Sequence, residues 1–218
     1  MATPRTRSNL KEDAAALIRE MIFASEFKPG MRVDQDLVAD HLGTSKLPVR
    51  EALILLEGEG LVSNIPRRGA FVANLTAEDI QDSYHAIGQL SAIATARAAV
   101  RLTDEDLKRL RELVERMDDH DLSADSYSEF NHEFHRAIHR AGASARLRRA
   151  LRSLTNAVPD RLHTSIRHHS PEIQAEHWEI LQALEHRDPD RAVSATVGHF
   201  LSGAKHAIDL LVDRGFWD

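Results

Sequence analysis

The chain contains no cysteine. That excludes disulfides, thiolate metal sites and cysteine nucleophiles, so a bound metal must be held by His, Asp, Glu, Asn or water. No apolar run approaches the roughly 18 residues that suggest a membrane span, and no apolar segment follows Met1-Ala2-Thr3-Pro4-Arg5-Thr6-Arg7 to serve as a secretory signal. The expectation is a cytoplasmic protein without membrane contact. Excess positive charge is missing too: the net charge of −6 excludes a globally basic coat for nucleic acid. What is there is an ordinary globular composition, 42% hydrophobic and 28% charged, in 218 residues that suit two modest domains. Histidine is abundant, with 13 copies.

Both histidine and charge are unevenly placed. Only His41 precedes residue 76. Residues 1–75 carry ten Lys/Arg against ten Asp/Glu, so the whole excess of acid falls on residues 76–218. A shift of this kind marks a domain boundary, placed near Asn74-Leu75-Thr76. The expected domains are 1–75 and 76–218.

The front segment predicts three helices and a hairpin. Ala14, Leu17, Ile18, Met21 and Ile22 form one apolar stripe, stopped by Lys28-Pro29-Gly30. Asp34 caps a short second helix with Val38, Ala39 and Leu42, which Gly43 closes. Thr44-Ser45 supplies the next cap, and Pro48 is tolerated in the first turn. The third helix turns Val49, Ala52, Leu53 and Leu56 inward, projects Lys46, Leu47, Arg50 and Ile54 elsewhere, and stops at Gly60. Leu61–Ile65 and Ala70–Ala73 are strand-like runs around the turn Pro66-Arg67-Arg68-Gly69. This order is a winged helix-turn-helix.

The residue types suit double-stranded DNA. A helix entering the major groove needs long donors near its N-terminus, where Lys46 and Arg50 stand, and Thr44 and Ser45 suit the phosphates that helix end meets. Lys46, Arg50, Arg67 and Arg68 are local and few acids interrupt them, so a neutral domain can still neutralise phosphates. Any one of these cations alone is an ordinary solvated residue; together, on two elements that a winged helix presents side by side, they point to DNA. The segments Leu42–Leu53, Leu56–Val62 and Pro66–Val72 resemble the winged-helix domain of the GntR family of bacterial transcription regulators. The resemblance implies that Arg50 and the residues around Ser45-Lys46 touch the operator, and that Gly69 approaches the minor groove. Lys46 stands where an Arg is common, which weakens bidentate guanine readout at that position.

The back segment predicts helices only, about six in an antiparallel bundle. Capping-box spacing recurs at Thr76/Asp79 and Thr103/Asp106, and Ser126 with Glu129 opens a third helix whose Phe130, Phe134, Ile138 and Ala141 line one face. Ser144 opens a fourth, with Leu147, Leu151, Leu154 and Val158 ending at Pro159. Ser170-Pro171 and Asp188-Pro189 open the last two. Neither a glycine-rich phosphate loop nor a strand pattern occurs there. The fold class is mainly α: a winged helix followed by a helical bundle.

On these helices the histidines acquire addresses. Asn131 and His135 are four apart and point from one face. His177 lies on the stripe Ile173, Ile180, Leu181, Leu184, and His199 stands beside Phe200, with Val193 and Val197 marking the buried edge of the last helix. Three imidazoles and an oxygen suit a borderline divalent cation such as zinc, nickel or manganese. A lone His on an apolar stripe is more often a hydrogen-bonded core residue, and His132 and His139 flank His135 at helical spacing, so spacing leaves the three open. His168-His169 belongs to a polar link.

The stretches Asn131–Ile138, Glu176–Leu184 with Asp188, and His199-Phe200-Leu201 resemble the ligand-binding domain of the FadR subfamily of these regulators, the FCD type. That resemblance implies a metal held by Asn131, His135, His177 and His199. Asn131 in place of an Asp leaves the site one negative charge poorer, which loosens the metal but strengthens its pull on an anion. Many relatives carry an Arg and a Glu where this sequence has Ile87 and Ser91, which points to a larger or more apolar carboxylate than the usual small organic acid. The expected function is a homodimeric repressor, not an enzyme, that reads a palindromic operator and answers to an organic acid bound at the metal. Two rivals are a regulator whose metal is purely structural and a metal-dependent hydrolase; His132-Glu133-Phe134-His135 lacks the H-E-x-x-H spacing the latter favours.

Overall fold

The computed structural model describes residues 7–119, 121–157 and 171–218. They fall into two compact units, one gathering the residues up to Thr76 together with Leu211–Asp218, the other taking most of Ala77–Leu210. Val158, Pro159, His168, His169 and Ser170 lie outside the described residues. No helix among the described residues is long and apolar enough to cross a membrane.

In the first unit, α1 (Arg7–Phe23), α2 (Gln35–Leu42) and α3 (Lys46–Gly58) precede the antiparallel pair β1 (Val62–Ile65) and β2 (Gly69–Val72), in which Val62 faces Val72 and Ile65 faces Gly69. Local chemistry sets the boundaries. The Asp34 side chain accepts from the N–H groups of Asp36 and Leu37, two of the donors a helix start leaves unpaired, and Gly43 ends α2 at φ 60°. Apolar faces then meet: Ala14, Ile18 and Ile22 of α1, Val38 of α2, and Val49, Ala52 and Leu56 of α3 are buried. An Arg19–Glu59 pair at 2.6 Å ties α1 to the end of α3. Residues 30–33 also join β2, since Val33 N–H donates to Ala70 O and Arg32 bridges Phe71. This extends the wing beyond the two strands expected.

The segment Leu211–Asp218 groups with this unit and not with the bundle in which the sequence pattern puts it. Phe216 is buried and stacks on Phe23 at 6.1 Å, the Arg214 guanidinium donates to Phe23 O, and the Trp217 indole donates to Leu75 O at 2.7 Å. Phe23 ends α1, so Arg214 places a cation at a helix end that needs one.

In the second unit the described residues form six helices: α4 (Ala77–Ala99), α5 (Asp104–Met117), α6 (Ala124–Gly142), α7 (Ala145–Ala157), α8 (Pro171–Glu185) and α9 (Pro189–Asp213), whose last turn enters the other unit's segment. Thr103 and Asp106 make the reciprocal capping box at the start of α5. α6 begins earlier than its Ser126/Glu129 spacing suggests: Ser123 is the cap, and its hydroxyl accepts from Ser126 N–H. One core joins α4, α5, α6, α8 and α9 through Ala98, Leu110, Val114, Phe134, Ile138, Ile180, Leu184 and Ala192. α4 and α6 approach so closely that a Cβ on Gly142 would lie 1.8 Å from Ala94 O.

Candidate metal centre and DNA-facing surface

Three helices of the bundle aim nitrogen or oxygen donors at one point. His135 comes from α6, His177 from α8 and His199 from α9, and one ligand atom of each lies within 4.8 Å of the others. His177 and His199 are buried at 0% and 1% exposure, and Asn131, one turn before His135, at 7%. Asn131 Oδ1 stands 2.9 Å from His177 Nε2. Two ligand atoms at about 2.1 Å from one ion are about 3.0 to 3.4 Å apart, so this pair already has close to the separation that a shared divalent cation requires. The four side chains expected from the sequence are therefore brought together, and their donor set of three imidazoles and one amide oxygen fits such an ion.

The surroundings decide what each imidazole can do. Glu176 Oε2 lies 3.0 Å from His199 Nδ1. A carboxylate can only accept, so it fixes the proton on Nδ1 and leaves Nε2 with its lone pair, as a histidine ligand needs. Phe134 meets the edges of both His135 and His177, and Phe200 lies 5.5 Å from His135 and 5.3 Å from His199. These rings pack around His177 and His199, which are buried, while His135 is half-buried. On α9 the buried edge runs through Ala192, Thr196, His199 and Phe200, while Val193 and Val197, expected there, are half-buried.

The two alternatives to His135 point elsewhere. His139 Nε2 meets Ser91 Oγ on α4 at 3.1 Å, and desolvation pushes its pKa down to about 4, so it is a neutral hydrogen-bonded residue. His132 Nδ1 lies 3.4 Å from Ser128 Oγ, away from the cluster. Glu133, the acid in this stretch, is held below the usual carboxylate range by its hydrogen bond from Arg140 and by the charges of Arg140, Arg109 and Arg136. It is engaged by cations and is no poised general base. Ile87 and Ser91 are buried at 1% and 0%.

On the winged unit the expected DNA residues lie at the surface. Ser45 is the N-cap of α3 but makes no side-chain cap bond. Lys46, Arg50, Arg67 and Arg68 are exposed, with Thr44 half-buried beside them. One acid does interrupt the cations: Asp36 pairs with Lys46 at 2.6 Å, both exposed. A surface pair of this kind is worth about 0–1 kcal/mol, little enough to exchange for a phosphate. Arg67 adopts φ 62° and Gly69 φ 105°, which turn the wing tip, and Arg68 lies over the Phe71 ring.

Two residues here were not anticipated. Arg32 brings its guanidinium to within 2.9 Å of where a Cβ on Gly69 would stand, adding a third cation to the wing. Glu176 orients His199. Neither leaves a trace in helical or strand spacing, because each acts across elements distant in sequence.

A wing with exposed cations, joined in one chain to a helical domain that gathers three histidines, fits a DNA-binding transcription regulator. The chain belongs to the GntR family of bacterial regulatory proteins, whose model matches residues 10–72, and carries an FCD domain over residues 82–202. It is 29% identical over 188 residues to an uncharacterised HTH-type transcriptional regulator of Mycobacterium tuberculosis, covering 86% of this chain and 77% of the relative. It is 24% identical over 205 residues to the HTH-type transcriptional repressor RspR of Escherichia coli, covering 92% and 90%. The solved structure of Escherichia coli McbR/YncC has the same fold, with a TM-score of 0.71, 21% identity and coverage of 96% and 99%. These families are regulators and not enzymes.

Proposed function

We propose that the protein is a homodimeric, cytoplasmic transcription repressor in which Asn131, His135, His177 and His199 hold a divalent metal, zinc, nickel or manganese, to which a carboxylate effector binds. The observation that carries this reading is the convergence of three imidazoles from three helices on one point, two of them buried and His135 half-buried. Four neutral ligands leave the ion's charge uncompensated, which favours an anion at an open coordination position. Buried Ile87 and Ser91, where relatives often carry Arg and Glu, favour a larger or more apolar acid than the usual small one. The resemblance to RspR supports repression.

In the winged unit, Thr44, Ser45, Lys46 and Arg50 meet the major groove while Arg67, Arg68 and Gly69 enter the neighbouring minor groove. Two copies related by a two-fold axis read a palindrome. Effector binding is coupled to operator affinity, and the coupling is reciprocal.

Fluorescence anisotropy with DNA from upstream of the protein's own gene tests the DNA half of this reading. Binding that weakens steeply with salt is expected; no salt-sensitive binding would end it. A thermal-shift panel on zinc-loaded protein tests the effector half. At least one carboxylate should raise the Tm, whereas no response to any acid would leave the metal a structural role.

A further inference from the structure

The exposed face of α3 is not uniformly polar. Leu47 is 47% and Ile54 68% exposed, and Arg50 is exposed between them. Positions 47, 50 and 54 lie on one stripe, opposite buried Val49, Ala52, Leu53 and Leu56. A single exposed leucine needs no explanation. Here, however, two aliphatic chains flank a cation on the helix of a DNA-binding unit, and the neighbouring Lys46 carries its own acid.

The major groove offers an apolar partner for such a side chain. Thymine alone among the bases presents a C5-methyl group there, and aliphatic side chains discriminate it by contact. Residues in the first turn of a recognition helix reach base edges. Leu47 is the second residue of α3, whereas Ile54 lies about 10 Å further along the axis, at 1.5 Å per residue. Exposure is common to both, but only Leu47 has the reach.

We infer that Leu47 is a specificity-determining residue: it packs on a thymine methyl group beside the base that Arg50 reads. This rests on the reading that α3 enters the major groove. Its physical content is that part of the operator preference is apolar and insensitive to salt, while the cations supply the salt-sensitive part.

The test uses the full chain and a duplex selected from a random pool for tight binding. Each thymine is replaced in turn by deoxyuridine, which removes the methyl group and nothing else, and affinity is read by anisotropy. The expected result is one symmetric position per half-site where the wild type loses about fourfold, the worth of burying one methyl-sized group. Leu47→Ala should bind the unmodified duplex about as weakly and be indifferent to the replacement, while Ile54→Ala should keep the wild-type response. The inference is overturned if the selected sites share no fixed thymine, if no replacement weakens the wild type, or if Leu47→Ala keeps the full response. Guanines replaced by deazaguanine, which lacks the N7 acceptor, separate this failure from that of the reading beneath it. If neither that replacement nor Arg50→Ala weakens binding, α3 does not read the groove at all. If both do and deoxyuridine does not, only Leu47 is misassigned.

Discussion

The winged unit keeps its cations in water, and the bundle keeps two of its three clustered imidazoles out of it, with His135 half-buried. Lys46 is 47% exposed in its pair with Asp36, while His177 and His199 are exposed by 0% and 1%. Exposed cations cost the fold little and are screened by salt, so they can be gathered at a tip for long-range attraction to phosphate. Buried imidazoles must be partnered to be tolerated, so Asn131 sits against His177 and Glu176 against His199. One unit therefore tolerates change in side chains and depends on their sum; the other depends on each contact.

The largest expected break in this comparison is a pair of glycine substitutions. Gly142→Ala puts a methyl group 1.8 Å from a backbone oxygen of α4, which cannot swing away, and should cost about 3 kcal/mol. Gly69→Ala meets only the mobile end of Arg32, together with the strain of φ 105°, and should cost about 1 kcal/mol. Hydrogen exchange measured separately in α6 and β2 reads the two costs; equal losses would erase the contrast.

Next come the site residues. His177→Ala removes a ligand from a buried set and should weaken zinc binding by at least about a hundredfold, whereas Glu176→Gln, which only loosens the orientation of His199, should cost about tenfold. Calorimetric titration separates them. On the other unit Arg50→Ala should lower operator affinity about tenfold and relax the sequence preference, while Arg67→Ala should weaken all sequences alike and reduce the salt slope by about one. Zinc affinity should be unmoved by either arginine change.

The smallest effect lies in a cap. Thr103→Ala should destabilise the bundle by about 1 kcal/mol. The hydroxyl and N–H of Thr103 hold the Asp106 carboxyl below its ordinary value. Its contribution is thus present above the ordinary carboxylate range and lost as pH falls through the lowered folded value. The gap between the acid unfolding curves of the two proteins should narrow there to what the bond from Asp106 N–H to Thr103 Oγ alone is worth; a constant gap across that range would mean the Asp106 carboxylate is not coupled to the cap.

Much of this architecture is legible in the sequence because the signals are local. Asp34, Thr103 and Asp188 each pair with a backbone N–H two or three residues away, so the helix starts they mark follow from neighbours in the chain. Ser126 misleads because its hydroxyl is engaged by Ser123 instead. The Asn131/His135 pair is legible for the same reason of one-turn spacing. His139 is as well spaced as His135, and only Ser91, 48 residues away on another helix, draws it off. Glu176 on His199, Arg32 on Gly69 and Phe216 on Phe23 are tertiary events with no periodic trace, so spacing does not reveal them.

Native mass spectrometry of the full chain, expressed with added zinc, nickel and manganese, tests most directly whether the buried histidines exist to hold an ion. The account predicts a dimer with one divalent ion per protomer, and for His177→Ala a dimer of the same size without it. A wild-type dimer free of metal, or a His177→Ala dimer that keeps its ion, would contradict it.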